Sequence, residues 1–242
     1  MAAQTQTQKP FRIAVLLEEV QLSDIISIDI FGNLSQDFLA EISAMDPSFT
    51  AFAAHALPIE FFFLATTLEP ARVTLRGLKY VPNMTYDACP RDLDLVLVGG
   101  PFLTHRPPAA KRFIQEAWPR TRVWMTTCVG SLWLGDAGVL EGLRATTNRP
   151  FLGVAKTLLP GTEWLDQRWV VEEKVFEGEG KGELWTAGGA GAGIDMVAQF
   201  CLQNWDRKFV YAMALEGLEC TPEGTRAQFY TTPAASTTVN FD

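Results

Sequence analysis

Cys128 stands where a side chain can be lifted out of a sheet and made to react. It is preceded by RVWMTT and followed by VGSLWLGDAGVL. The run Val123-Trp124-Met125-Thr126-Thr127 is apolar and β-branched, the composition of a buried strand. Residues 131–140 carry an apolar helical face, and only Val129 and Gly130 stand between them and the cysteine. A strand that passes directly into a helix holds its corner residue in a strained conformation. It also points the first free N–H groups of the helix at that side chain. The positive end of a helix dipole favours thiolate, so a depressed thiol pKa is expected. Gly130 suits the close approach of helix to strand. The ordinary alternative is a small buried apolar residue, which most free cysteines are.

A thiol nucleophile needs a proton acceptor and a donor for the developing charge. Asp24 is the foremost carboxylate, with Glu19 second because it follows the first strand; Asp24 at a helix start is equally an ordinary N-cap. Gly99-Gly100 could present backbone N–H groups to an oxyanion, or simply make a turn. Gly99, Gly100 and Val129 are therefore the residues expected to face a substrate. His105 lies a few residues beyond the Gly-Gly-Pro turn, within possible reach of the thiol, but reads better as a solvated histidine beside Arg106. His55 reads as structural or exposed. Cys128, Asp24 and a backbone donor suffice for cofactor-free addition at a carbon electrophile.

The surrounding elements must bring these residues together. Residues 11–17 (FRIAVLL) and 94–98 (DLVLV) are continuous apolar runs, as in strands covered on both faces. Further strands are expected at 59–67, 71–75, 78–84 and 144–147. A hairpin is expected between 168–176 and 183–187 across GEGKGE. Helices are expected at 25–31, starting near Ser23 or Asp24, and at 36–45, 111–118, 151–160 and 191–205. The alternation implies a single α/β domain with a parallel sheet and helices on both faces. In such sheets ligands bind beyond the carboxyl ends of the strands, where Glu19, Asp24, Gly99-Gly100 and Cys128 all fall. The expected organisation is a disordered lead over 1–10, the α/β domain over 11–220 and a C-terminal tail over 221–242, mobile or wrapped on the surface.

The 242 residues are 48% hydrophobic and 20% charged, enough for one sizeable core. The net charge is -8 and no Lys/Arg-rich run occurs, which argues against nucleic acid or an anionic membrane as partner. Cys89, Cys128, Cys201 and Cys220 are widely spaced and the chain has two histidines, so neither a disulfide framework nor a metal site is expected. The polar start MAAQTQTQKP lacks a signal-peptide core, and a cytoplasmic location is expected.

The segments FRIAVLLEEVQLSD, LVLVGGP, TTCVGSLWLGDAGVLEGLRATT and TAGGAGAGIDMVAQF, taken in order, resemble the ThiJ/PfpI superfamily, and within it the isonitrile hydratase branch and its fungal relatives. The resemblance runs from about Phe11 to Trp205. It implies a flavodoxin-like (class I glutamine amidotransferase-like) fold, a homodimer, a small-molecule substrate, and neither metal nor organic cofactor. By resemblance Cys128 is the nucleophile, Asp24 its acidic neighbour and Gly100 the glycine facing the thiol. The implied reaction is attack on the terminal carbon of an isonitrile, a thioimidate, and release of an N-substituted formamide by water. Three positions depart from the pattern: Val129 where that branch usually carries threonine, Asn148 where many relatives carry histidine, and Ser27-Ile28 in place of a Gly-Pro pair. Two other functions fit the same residues. One is a biosynthetic cyclase or isomerase using Asp24 or Glu19 as acid or base, which Val129, Trp124 and Trp133 would suit, although core packing explains both tryptophans more simply. The other is a redox-sensing or chaperone-like role for an oxidisable Cys128.

Overall fold

The computed structural model describes residues 9–220 and 227–231. The apolar runs become strands: β1 (Phe11–Leu16), then, after α1 (Ile28–Asn33) and α2 (Gln36–Met45), β2 (Ile59–Ala65). Three short strands follow, β3 (Ala71–Arg72), β4 (Lys79–Tyr80) and β5 (Met84–Thr85). The second apolar run is β6 (Leu95–Val98), followed by α3 (Pro108–Ala117), β7 (Val123–Thr127) and α4 (Gly130–Asp136). The last third holds β8 (Arg144–Ala145), α5 (Leu152–Leu158), β9 (Glu163–Trp164), β10 (Trp169–Lys174), β11 (Gly182–Ala187), α6 (Ala190–Asn204) and α7 (Arg207–Val210).

Seven of these strands form one sheet in the order β10-β11-β7-β6-β1-β2-β5. Every neighbouring pair is parallel except the β10–β11 hairpin. The chain builds outward from β1 to β2 and β5, then crosses to the other side of β1 to lay down β6, β7 and β11. The order therefore reverses between β1 and β6, which opens a crevice at their carboxyl ends.

Helices cover both faces, as the unbroken burial of β6 and β7 requires. Side chains alternate along β7. Thr127 meets α6, where a side chain at Gly193 would lie 2.5 Å from its Oγ1. Trp124 points the other way, to Phe113 of α3 and to Trp118, with ring centroids 6.3 and 5.5 Å apart. Trp124 and Trp133 are both fully buried, so each is a core residue.

Several expected elements differ in extent: the strands expected at 71–75 and 144–147 shorten to Ala71–Arg72 and Arg144–Ala145, and three others differ more. The helix after Cys128 ends at Asp136 rather than near 140, and Gly138 follows it with a φ of 83° that a side chain would strain. Residues 78–84 are not one strand. β4 and β5 are separated by Pro82 and Asn83, and the Asn83 side chain bonds the backbone of Phe61 and Phe63. Residues 25–31 begin instead as a 3₁₀ turn (Leu22–Asp24), with α1 starting three residues later than expected.

The tightest joint lies beneath α4. A side chain at Gly130 would run into the carbonyl of Val98 and lie 2.8 Å from that of Gly99. These are backbone atoms that cannot swing away. Gly130→Ala should therefore lower stability by roughly 2–3 kcal/mol, the upper range for an overpacked site, read as an earlier midpoint in denaturant unfolding. An unchanged midpoint would show that α4 has room to move.

Candidate active site

Cys128 occupies the corner between β7 and α4 with φ 59°, the left-handed region that non-glycine residues avoid. Its backbone is pinned on both sides. Its N–H donates to the carbonyl of Ala187 at 2.9 Å, and its own carbonyl accepts from Thr147 Oγ1 at 3.1 Å and Ser131 Oγ at 3.4 Å. The strain expected from the direct strand-to-helix passage is present, and these bonds hold it.

Asp24 comes from the 3₁₀ turn after β1 and is 3% exposed. It does not cap α1, whose N-cap is Ser27. Its Oδ2 instead accepts the N–H of Gly100 at 3.1 Å across the crevice, and its charge is felt by the Cys128 thiol, whose pKa it raises. Gly100 has no room for a side chain, since a Cβ would lie 2.7 Å from Asp24 Oδ2 and 3.0 Å from Val129 Cγ2. Gly99 lies beneath, against Val20, Ile25 and Asp24. The Gly100 N–H is thus spent on orienting the carboxylate. The backbone N–H that favours negative charge on the sulfur is that of Val129, which lowers the thiol's pKa.

Asn148 completes the set. Its Nδ2 donates to Cys128 Sγ at 3.3 Å. The sequence marks this position only as lacking histidine; the structure shows an amide donor in its place.

The remaining candidates point elsewhere. Glu19 has φ 57° and turns its carboxylate to Arg72 at 2.5 Å. His105 is not solvated: its Nε2 faces Glu18 Oε2 at 3.6 Å, and its ring stands edge-on to Trp133. Glu18, which sequence reasoning passed over for its neighbour, also accepts from the N–H and hydroxyl of Thr66 at 3.1 and 2.8 Å. Burial raises the Glu18 pKa, but the bonds from His105 and Thr66 outweigh it and hold the carboxyl below its usual range. Among the described residues no group of three or more His, Cys, Asp or Glu is placed to hold a metal ion. No helix there is long and apolar enough to cross a membrane.

The sequence profile of the DJ-1/PfpI family matches residues 51–201, well over half of the chain. The chain belongs to the DJ-1/PfpI family. It is 33% identical over 126 residues to an isonitrile hydratase of Pseudomonas putida; the match covers 49% of this chain and 48% of that protein, so the chain spans about half the length of this curated relative. A ThiJ/PfpI family protein from Pseudomonas syringae superposes with a TM-score of 0.65 at 20% identity, over 92% of this chain and 81% of that one. An AraC family transcriptional regulator from Pseudomonas putida superposes with a TM-score of 0.63 at 15% identity, over 87% of this chain and all of that one. These structures share the fold expected from the sequence, a mostly parallel flavodoxin-like sheet.

The charge state of this DJ-1/PfpI site departs from the sequence expectation. Burial and the neighbouring Asp24 carboxylate push the Cys128 thiol up to about 12, and the donors Val129 and Asn148 recover only part of that. α4 is seven residues long, a short dipole set against a buried carboxylate in contact. Burial also raises Asp24, from 3.8 to about 6, against the bond from Gly100. At neutral pH the resting pair is therefore a protonated thiol beside an ionised carboxylate.

A carboxyl with a raised pKa stabilises the fold in its protonated form, and that contribution is lost as pH climbs through the folded value. Asp24→Asn, which keeps an acceptor for Gly100, should thus unfold at about the same temperature as the native protein at pH 4. It should gain a lead between pH 4 and 6 and hold it at pH 7, worth on the order of 1–3 kcal/mol. Calorimetric melting across that range checks this; a lead that is largest at pH 4 would contradict the burial of the carboxyl.

Proposed function

We propose that this protein is a cysteine-dependent hydratase of small carbon electrophiles, with isonitriles as the leading substrate class. The supporting observation is the juxtaposition of Asp24 and Cys128, a buried carboxylate locked by the Gly100 N–H and close enough to raise the thiol's pKa. The Pseudomonas putida relative, an isonitrile hydratase, agrees with it.

The geometry suggests a proton circuit through Asp24. As Sγ bonds the terminal carbon of R–N≡C, Asp24 takes the thiol proton and returns it to that carbon, leaving the thioimidate R–N=CH–S. The N–H of Val129 and the amide of Asn148 stabilise negative charge on sulfur while the proton is away. Asp24 then takes a proton from water as its oxygen adds to the same carbon, and the nitrogen is protonated. Collapse of the adduct breaks the C–S bond, sulfur recovers its proton, and R–NH–CHO leaves. The sum is isonitrile plus water to formamide. A thiol held near 12 cannot carry this alone at neutral pH, so the ionised carboxylate is the base the mechanism needs.

The same charge state favours a second reading, in which Asp24 acts as acid or base in an isomerisation or cyclisation and Cys128 is secondary. It weakens a redox-sensing role, which calls for a readily ionised thiol.

Purified protein incubated with a small alkyl or aryl isonitrile should yield the formamide, followed by ultraviolet absorbance and mass. Cys128→Ala should lose at least about a thousandfold in kcat, as removal of a nucleophile does, and Asp24→Asn about a hundred- to ten-thousandfold. The rate should climb with pH through about 6 as Asp24 ionises. Formamide production that survives Cys128→Ala would defeat the thioimidate route. Activity on any substrate that survives Cys128→Ala but not Asp24→Asn would establish the second reading instead.

A further inference from the structure

The C-terminal segment 227–231 lies beyond the family match and returns to the loops around Cys128. It docks beside the start of β10. The N–H of Arg168 donates to the carbonyl of Gln228 at 2.8 Å, the Arg168 guanidinium donates to the carbonyl of Ala227 at 2.8 Å, and Gln228 Nε2 donates to the carbonyl of Trp169 at 3.0 Å. The dock is built rather than incidental. Arg168 is 7% exposed and is paired with the buried Asp195 of α6.

The dock delivers Tyr230 to the residues that hold the nucleophile. The Arg149 guanidinium lies 3.9 Å from the centre of the Tyr230 ring, and Arg149 is itself fixed by two bonds to Asp166, at 2.7 and 2.8 Å. The Tyr230 hydroxyl closes on Gly188, where a Cβ would lie 2.7 Å from it and 3.3 Å from the carbonyl of Thr147. Gly188 follows Ala187, which accepts the Cys128 N–H. Thr147 bonds the Cys128 carbonyl, and Asn148, next to Arg149, bonds the sulfur. Tyr230 thus touches Gly188 and Arg149, the chain neighbours of Ala187 and Asn148, two of the residues bonded to Cys128.

We propose that Tyr230 is a positioning residue of the site, holding the 147–149 loop so that the Asn148 amide meets the Cys128 sulfur. The proposal rests on Cys128 as the reacting group and adds to the site a residue C-terminal to the 51–201 profile match. Asn148 has no helix or strand to fix it, since it sits at the entry to a 3₁₀ turn (Arg149–Phe151). A clamp on Arg149 from outside supplies that restraint. An amide placed only 1 Å too far would lose most of its hydrogen bond to sulfur.

The test is alkylation of Cys128 by iodoacetamide in the full chain, followed residue by residue with mass spectrometry from pH 7 to 10. It needs no isonitrile, so a native protein that makes no formamide leaves it intact. Asn148→Ala should slow Cys128 alkylation at pH 9 about three- to tenfold, the scale of one ordinary lost hydrogen bond, and shift the profile to higher pH. Tyr230→Ala should do the same, and the double variant should be no slower than either single. Tyr230→Phe, which keeps the ring over Arg149, should retain at least about half the native rate. Where turnover is measurable, Tyr230→Ala should lower kcat and leave KM near its native value. Should Tyr230→Ala unfold, the buried Cys89 and Cys201 would be alkylated too; Gln228→Ala, which loosens the dock by one bond, then gives the reading, with a smaller slowing at Cys128. A native profile in Tyr230→Ala would overturn the proposal. So would faster alkylation, the mark of a mere cover, or a double variant slowed by the product of the two single effects.

Discussion

The hydrogen bond from the Gly100 N–H to Asp24 Oδ2 joins the two sides of the crevice, and the site's chemistry depends on it. A carboxylate that is 3% exposed is costly without a donor. With one donor and the thiol it stays ionised at neutral pH, yet its pKa remains high enough to take and return a proton. Gly100 must be glycine for the carboxylate to come so close, and Gly130 must be glycine for α4 to sit against β6. The two glycines set how closely the chain segments carrying Asp24 and Cys128 approach one another.

The charges follow from that arrangement. The sequence suggests a thiolate at the mouth of a helix, but the helix is only seven residues long and its field is opposed by a full negative charge in contact. The proton therefore rests on sulfur. On the proposed mechanism reactivity resides in the pair rather than in the cysteine, with the strained backbone of Cys128 placing the thiol toward Asp24. Val129 takes part through its backbone N–H, so the loss of a hydroxyl at that position leaves a donor at the sulfur.

Much of this was legible in the chain. The unbroken apolar runs of β1, β6 and β7 could only be strands buried on both faces, and the absence of a loop between β7 and α4 marked the corner. Asp24 and Gly100 were recognisable because both fall at strand ends. What was hidden depended on side-chain direction. Glu18 and Glu19 are adjacent, and nothing in their types says which turns to His105 and which to Arg72. Asn148 was visible only as a missing histidine, because an amide donating to sulfur has no sequence signature. The end of α4 was misjudged because the apolar periodicity continues past Gly138, while the backbone does not. The return of residues 227–231 to the sheet edge rests on bonds between segments about sixty residues apart, which no local pattern encodes.

The reversal of strand order between β1 and β6 also governs when the site can exist. Asp24 leaves one half of the sheet, and Gly100, Cys128 and Asn148 leave the other. The two halves meet through β1 and β6, whose paired residues lie about eighty positions apart in the chain. Contacts of that separation close late in folding, because the loop entropy must be met before they form. Until they close, Cys128 has no buried carboxylate beside it and its thiol keeps the ordinary pKa of an exposed cysteine. Completion of the sheet therefore both brings Asp24 to Cys128 and moves the proton firmly onto sulfur.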